Sequence, residues 1–222
     1  MNYKRLTLLS GHYGSGKTNI AVNMALELAR RAEASRVALA DLDIVNPYYR
    51  SLDSRAELEG AGVRVICSAY ANTNLDAPAL PQEMYALIDD RELRAVIDVG
   101  GDDRGALALG RLSDAITREN DYEMLLVINR YRPLTRDVSS TVEVMREIEA
   151  AGRIPFTGIV HNSNLGAETT AEVVLNSQPY AEAVARATGL PIVATAVESA
   201  LLPELRGRIE HLFPMRLQKR PV

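Results

Sequence analysis

The sequence predicts an α/β protein of three layers, with a mainly parallel central sheet of about seven strands flanked on both faces by helices. Two observations point to this architecture. Short runs rich in Val, Ile and Leu recur along the 222 residues, and they are continuously apolar, as strands buried on both faces must be. Longer segments with apolar residues at helical spacing separate them. A third observation, the absence of an internal repeat, a low-complexity tract or a Gly/Ser linker, leaves no place to divide the chain, so residues 1–222 are read as one domain.

The strands are expected at Leu6–Ser10, Val37–Ala40, Val63–Cys67, Ala95–Val99, Met124–Ile128, Thr157–Val160 and Ile192–Ala196. Lys17–Ala32 carries Ile20, Met24 and Leu28 on one helical face, and Thr135–Ala151 carries Val138, Val142, Met145 and Ile148. Further helices are expected at Pro81–Asp90, Gly105–Glu119, Glu168–Thr188 and Leu202–Leu212, with Pro179 interrupting the third of these. Ala69–Pro81 is the least regular stretch.

Composition narrows the classes of function. With 47% hydrophobic and 24% charged residues the chain can fill one core. Its 25 basic and 29 acidic residues leave a net charge of −4, so no whole-molecule field would hold a polyanion, and nucleic acid is not expected as a partner. Cys67 is the only cysteine, which excludes an intrachain disulfide or a four-thiolate metal site and fits a reducing cytoplasm. No apolar run approaches the ~20 residues of a membrane span, so a cytoplasmic protein is expected.

The segment Gly11-His12-Tyr13-Gly14-Ser15-Gly16-Lys17-Thr18 follows the first strand and opens the first helix. This is the pattern of a phosphate loop. Glycines let the backbone curl around an anion, and the helix that follows presents unsatisfied N–H groups and the positive end of its dipole. Gly11, Gly14, Ser15, Gly16, Lys17, Thr18 and Asn19 are therefore the candidate nucleotide-binding residues. Lys17 would reach the outer phosphates, and the Thr18 hydroxyl would ligate Mg²⁺.

Mg²⁺ on a nucleotide also calls for carboxylates at the ends of neighbouring strands. Asp98 follows the apolar run Ala95-Val96-Ile97 and precedes Val99-Gly100-Gly101, a Walker-B type placement, and Gly101 could offer its N–H to a γ-phosphate. Asp41-Leu42-Asp43 ends the second strand with both acids on one side. One of them could orient the attacking water and the other could support the metal.

These residues resemble the deviant-Walker P-loop ATPases, the MinD, ParA, nitrogenase iron protein and cobyrinic acid synthase superfamily. Gly11–Thr18 resembles its phosphate loop, Asp41-Leu42-Asp43 its first switch, Asp98–Gly101 its second, and His161-Asn162-Ser163-Asn164 its adenine-contacting segment. The wording GHYGSGKTNIAV, DLDIVNPYYRS and VIDVGGDDRGA is similar to one bacterial branch of it. The resemblance implies ATP and Mg²⁺ as ligands, Asp43 as the residue that activates or orients water, Asp41 and Asp98 as metal supports, and Asn162 as a contact to the base. It also implies that the second-switch strand lies beside the phosphate-loop strand, and that an ATP-dependent homodimer acts as a switch on a partner. One departure stands out: the signature lysine of the deviant loop is His12 here, a weak substitute for a cation, and Arg130 or Arg132 are the candidates to replace it.

Guanine-specific relatives read the base with Asn-Lys-x-Asp, and the comparable segment here, Asn129-Arg130-Tyr131-Arg132, lacks the aspartate, which favours ATP. His161 and His211 have no partner at metal-ligand spacing and are read as packing or surface residues. The tail Leu202–Val222 carries a weak basic amphipathic pattern bracketed by Pro203 and Pro214, read as a packed final helix rather than a membrane anchor. The leading expectation is a slow, Mg²⁺-dependent ATPase working as a nucleotide-controlled switch. The alternatives are a small-molecule kinase or ligase resembling dethiobiotin and cobyrinic acid synthases, with Tyr48, Tyr49, Arg50 and Ala69–Pro81 lining a metabolite pocket, or a non-hydrolysing adaptor for a protein partner.

Overall fold

Leu6, Leu8 and Leu9 are fully buried because the strand that carries them has neighbours on both sides and helices on both faces. The computed structural model describes residues 3–31, 36–42, 54–67, 82–101 and 103–217. In chain order its elements are β1 (Leu6–Ser10), α1 (Lys17–Arg30), β2 (Val37–Asp41), α2 (Arg55–Gly60), β3 (Val63–Cys67), α3 (Gln82–Asp89), β4 (Arg94–Asp98), α4 (Asp103–Gly110), α5 (Ser113–Glu119), β5 (Tyr122–Ile128), α6 (Val138–Gly152), β6 (Gly158–His161), α7 (Ala171–Thr188), β7 (Ile192–Glu198), α8 (Leu202–Leu205) and β8 (Leu212–Met215). The strands form one sheet in the order β3-β2-β4-β1-β5-β6-β7-β8, and every pair is parallel.

Alternation along the strands builds a core on each face. Leu8, Ile97 and Leu126 join Val144 and Ile148 of α6 on one side, while Leu9, Val96 and Leu125 join Ile20, Met24 and Leu28 of α1 on the other. β1 pairs with β4 on one flank and β5 on the other, so the second-switch strand does lie beside the phosphate-loop strand. The connections leaving β1 and β4 pass over each other's strands. Ligands of open α/β sheets bind outside the carboxyl ends of the strands at such a reversal.

The sheet has eight strands rather than about seven. The extra one is β8, in a tail read from sequence as a helix. Pro203 sits in the first turn of α8, the helix ends after four residues, and Gly207 then takes a φ of +80°, so no longer helix can form. Phe213 and Met215 bury themselves against α1, and Pro214 is tolerated because β8 is an edge strand. Pro179 does not interrupt α7, which runs unbroken from Ala171 to Thr188. Ser177, Tyr180, Ala181 and Val184 are buried around the proline, and that packing outweighs the ~3 kcal/mol a proline costs inside a helix. The expected helix over Gly105–Glu119 is two, α4 and α5, divided where the backbone of α6 closes on Gly110. The short α2 escapes the sequence reading because six residues carry too little periodicity.

At the amino ends of the strands, opposite the phosphate loop, Arg5 is 7% exposed. Its guanidinium donates to the carbonyls of Leu87, Ile88, Asp90 and Leu93 at 2.9–3.1 Å and pairs with the buried Glu119 carboxylate. One side chain thus ties β1 to the end of α3 and to α5. Replacing Arg5 with leucine leaves Glu119 to the more exposed Arg91 alone and strands four carbonyls, and the expected loss in urea-unfolding free energy is about 3–5 kcal/mol. The double variant Arg5→Leu/Glu119→Leu should recover part of it.

Candidate nucleotide-binding site

The carboxyl ends of β1, β2 and β4 deliver the candidate residues to one place. Residues 11–16 curl between β1 and α1, and Gly16 starts the helix at φ +93° with no side-chain cap. By contrast α6 and α7 are capped by the side chains of Asp137 and Thr170. The first N–H groups of α1 are therefore left to an anion. A Cβ on Gly16 would lie 2.3 Å from Nδ2 of Asn162, and that nitrogen donates to the Ser15 carbonyl at 2.7 Å. Asn162 braces the loop from the side of β6 while also lining the adjoining cavity.

Lys17 is buried, and its ammonium donates to the carbonyls of Gly11 at 2.9 Å and His12 at 3.4 Å. Thr18 donates from Oγ1 to Oδ2 of Asp98 at 2.5 Å. Asp41 is the Cα partner of Asp98 in the parallel ladder, so the two carboxylates project from the same face of adjacent strands, and both are buried. Two buried acids side by side can share a cation. With Thr18 they make an all-oxygen donor set suited to Mg²⁺. Among the described residues the buried Ser15 hydroxyl has no hydrogen-bond partner, an open polar valence within the anion-binding loop.

Gly101, just past β4, presses against the loop from the other side. A Cβ there would be 2.2 Å from the Gly11 carbonyl oxygen and 2.9 Å from the Tyr13 nitrogen. Asp43, the loop Ile44–Arg50 with Tyr48 and Tyr49, and Ala69–Pro81 lie outside the described residues.

A cavity of about 490 Å³ opens beside the loop, and Lys17, Thr18, Asn164, Glu198, Met215 and Leu217 are among the residues that line it. Its size suits a nucleotide. Asn19 lines it and its amide lies 3.9 Å from Sδ of Met215. One turn along α1, Asn23 donates to the Arg216 carbonyl at 3.0 Å and accepts from the Arg216 N–H at 2.9 Å, holding the segment after β8 at the mouth. Glu198, Met215 and Leu217 were missed by sequence reasoning. Position at a strand's carboxyl end could have singled out Glu198, whereas nothing in the motifs marked the other two.

Arg132 donates from Nε to the Gly14 carbonyl at 2.8 Å, whereas Arg130 turns away to the Asn176 carbonyl on α7. Asn129 is buried, accepting from the N–H of Tyr131 and Asn164. His12 donates from Nδ1 to the Tyr13 carbonyl at 2.9 Å, and burial lowers its pKa, so it carries no lysine-like charge. His161 is fully buried between Ser177 and Gln178. Among the described residues no group of three or more His, Cys, Asp and Glu side chains could hold a metal ion, and no helix is long and apolar enough to cross a membrane.

A parallel sheet whose first strand feeds a glycine loop, with a lysine and threonine opening the next helix and an aspartate ending the neighbouring strand, defines the P-loop class of nucleotide-binding proteins. The chain belongs to the family of the CobQ/CobB/MinD/ParA nucleotide binding domain, whose model matches residues 6–173. Comparison with curated proteins found no match. Among solved structures it is similar to FtsY from Mycoplasma mycoides, with a TM-score of 0.57 and 18% identity over 88% of this chain and 60% of that one. Cell division protein FtsY from Thermotoga maritima gives 0.56 and 20% over 86% and 61%. The 54 kDa protein of the signal recognition particle from Aeropyrum pernix K1, in complex with GDP, gives 0.53 and 20% over 86% and 41%. At these identities the likeness is one of fold.

Two outcomes test the site. Gly101→Ala must push the phosphate loop aside, and calorimetric titration should show nucleotide affinity falling at least about tenfold while the fold persists. Burial lowers the pKa of His161 to about 4 from 6.5. The unfolded chain therefore takes up this proton first as pH falls. The stability that the neutral ring contributes is whole above about pH 6.5 and drains away down to about pH 4. In denaturant titrations His161→Gln should flatten that part of the pH profile.

Proposed function

We propose that the chain binds ATP with Mg²⁺, hydrolyses it slowly, and acts as a nucleotide-controlled switch of the MinD/ParA type. The observation that carries this reading is the hydrogen bond from Thr18 to Asp98, next to Asp41 and one residue from the buried Lys17. That cluster supplies a lysine for the outer phosphates and an oxygen donor set for the metal. When bound, Mg²⁺ would neutralise charge on the phosphates. Lys17 would exchange the Gly11 and His12 carbonyls for phosphate oxygens, and the uncapped N–H groups of α1 would hold the remaining anion charge. Asp43 is assigned the orientation of water by its resemblance to the family's first switch.

Adenine is favoured over guanine because the position for the base-reading carboxylate is Arg132, whose guanidinium is engaged with the phosphate loop, and because Asn129 is committed to its own loop. A switch role is supported by Gly101. It touches the loop on one side and leads into α4 on the other, so a γ-phosphate that displaces it would move that helix. The reading includes a single domain, a cytoplasmic location and an ATP-driven homodimer.

The test is ATP and GTP binding and phosphate release with Mg²⁺, with light scattering to follow assembly. Lys17→Ala should weaken ATP binding at least about tenfold. Asp43→Ala should keep ATP bound, slow phosphate release about 100-fold or more, and trap the dimer. GTP binding tenfold tighter than ATP would overturn the choice of base, and an absence of turnover both alone and with cell extract would overturn the ATPase.

A further inference from the structure

We infer that Arg132 is a second phosphate-holding cation of this site, supplied by the same chain as the phosphate loop and aimed by a hydrogen bond to the loop itself. The inference rests on the nucleotide-site reading above and adds a residue to it. Among the described residues Lys17 and Arg132 are the two cationic side chains that line the cavity. Lys17 is drawn in under the carbonyls of Gly11 and His12, and Arg132 reaches the loop from the segment after β5.

Its placement is determined by backbone as well as side chain. The residue precedes Pro133, which excludes helical backbone and holds it extended at φ −108° and ψ 140°. Its N–H donates to the Asn129 carbonyl and its carbonyl accepts from the Thr135 N–H, both at 3.1 Å. Asn129 and Thr135 are buried, so the segment has little freedom. From this base the stem lies along the loop, close enough that a Cβ on Gly14 would sit 3.4 Å from Nε, 3.6 Å from Cδ and 3.7 Å from Cζ. Nε is used on the Gly14 carbonyl. The terminal nitrogens of the guanidinium are left with a fork of donors, the geometry that phosphate accepts best.

Charge completes the argument. Among the described residues Arg132 forms no ion pair with a carboxylate, although exposed arginines such as Arg55 and Arg153 do. Among the described residues Glu198 is the one acid lining the cavity, and it forms no ion pair with Arg132. A guanidinium aimed at a nucleotide cavity without a protein counter-charge is completed by the nucleotide's own anion. His12, at the second position of the loop, spends its Nδ1 proton on the Tyr13 carbonyl and supplies no such charge. Arg130 is excluded by its direction.

The experiment titrates ATP, ADP and adenosine against the full chain by calorimetry at several salt concentrations, for wild type, Arg132→Gln, Arg132→Lys and the same-loop control Arg136→Gln. Arg132→Gln should raise the ATP dissociation constant about 10- to 100-fold, the range for a charge-assisted hydrogen bond, and should reduce its salt dependence. Adenosine binding should stay within about twofold, Arg132→Lys should restore part of the ATP affinity, and Arg136→Gln should match wild type. Equal losses for ATP and adenosine would overturn the inference in favour of a base-contacting or loop-bracing role, and unchanged ATP affinity in Arg132→Gln would overturn it outright. If wild type itself bound neither ATP nor GTP, the nucleotide reading would fail first and this one with it.

Discussion

The close approach of Gly101 to the Gly11 carbonyl is the contact around which the site is arranged. It brings the segment after β4 against the phosphate loop with no side chain between them, and it follows from β4 and β1 being direct neighbours in the sheet. Backbone packed on backbone leaves no soft atoms to absorb a change. Whatever an anion does to residues 11–16 therefore bears on Gly101 and on α4 beyond it. The same adjacency sets Thr18 at the head of α1 within hydrogen-bonding distance of Asp98.

Charge in this region is concentrated and buried. Asp41 and Asp98 are side by side on adjacent strands, and Lys17 lies under the loop. Such groups are expensive to bury in isolation. Acids thus lie on the sheet and a cation at the loop, the arrangement on which the proposed metal-bound phosphate rests. Sites of this kind give up stability for binding, and the Arg5 cluster at the other end of β1 supplies rigidity where no ligand is needed.

Much of the fold could be read from residues alone. The expected ranges for β1 and β3 coincide with the observed ones: β1 is buried along its whole length and reads as an apolar run, while β3, an edge strand with Arg64 exposed, is marked by its β-branched Val63, Val65 and Ile66. The failures have physical causes. Pro179 reads as a break, yet α7 passes through it, because the burial of Tyr180 and Ala181 is a tertiary gain invisible to local propensity. The tail reads as helical from Leu205, Ile209 and Leu212, but Phe213 and Met215 find a core under β8 against α1, and an edge position makes Pro214 harmless.

The sequence by itself determined the phosphate loop, the strand-end aspartates and the parallel sheet, because each is enforced by short-range chemistry: glycines where a backbone must bend around an anion, a lysine and a hydroxyl at a helix start, continuous apolar runs in a covered sheet. Only the tertiary structure decided that Arg132 rather than Arg130 faces the loop, that Asn162 braces Ser15, and that Glu198, Met215 and Leu217 line the cavity. These contacts join residues from about 100 to 200 positions apart, and which side chains meet at that range is set by the order of strands in the sheet, a property no local pattern carries.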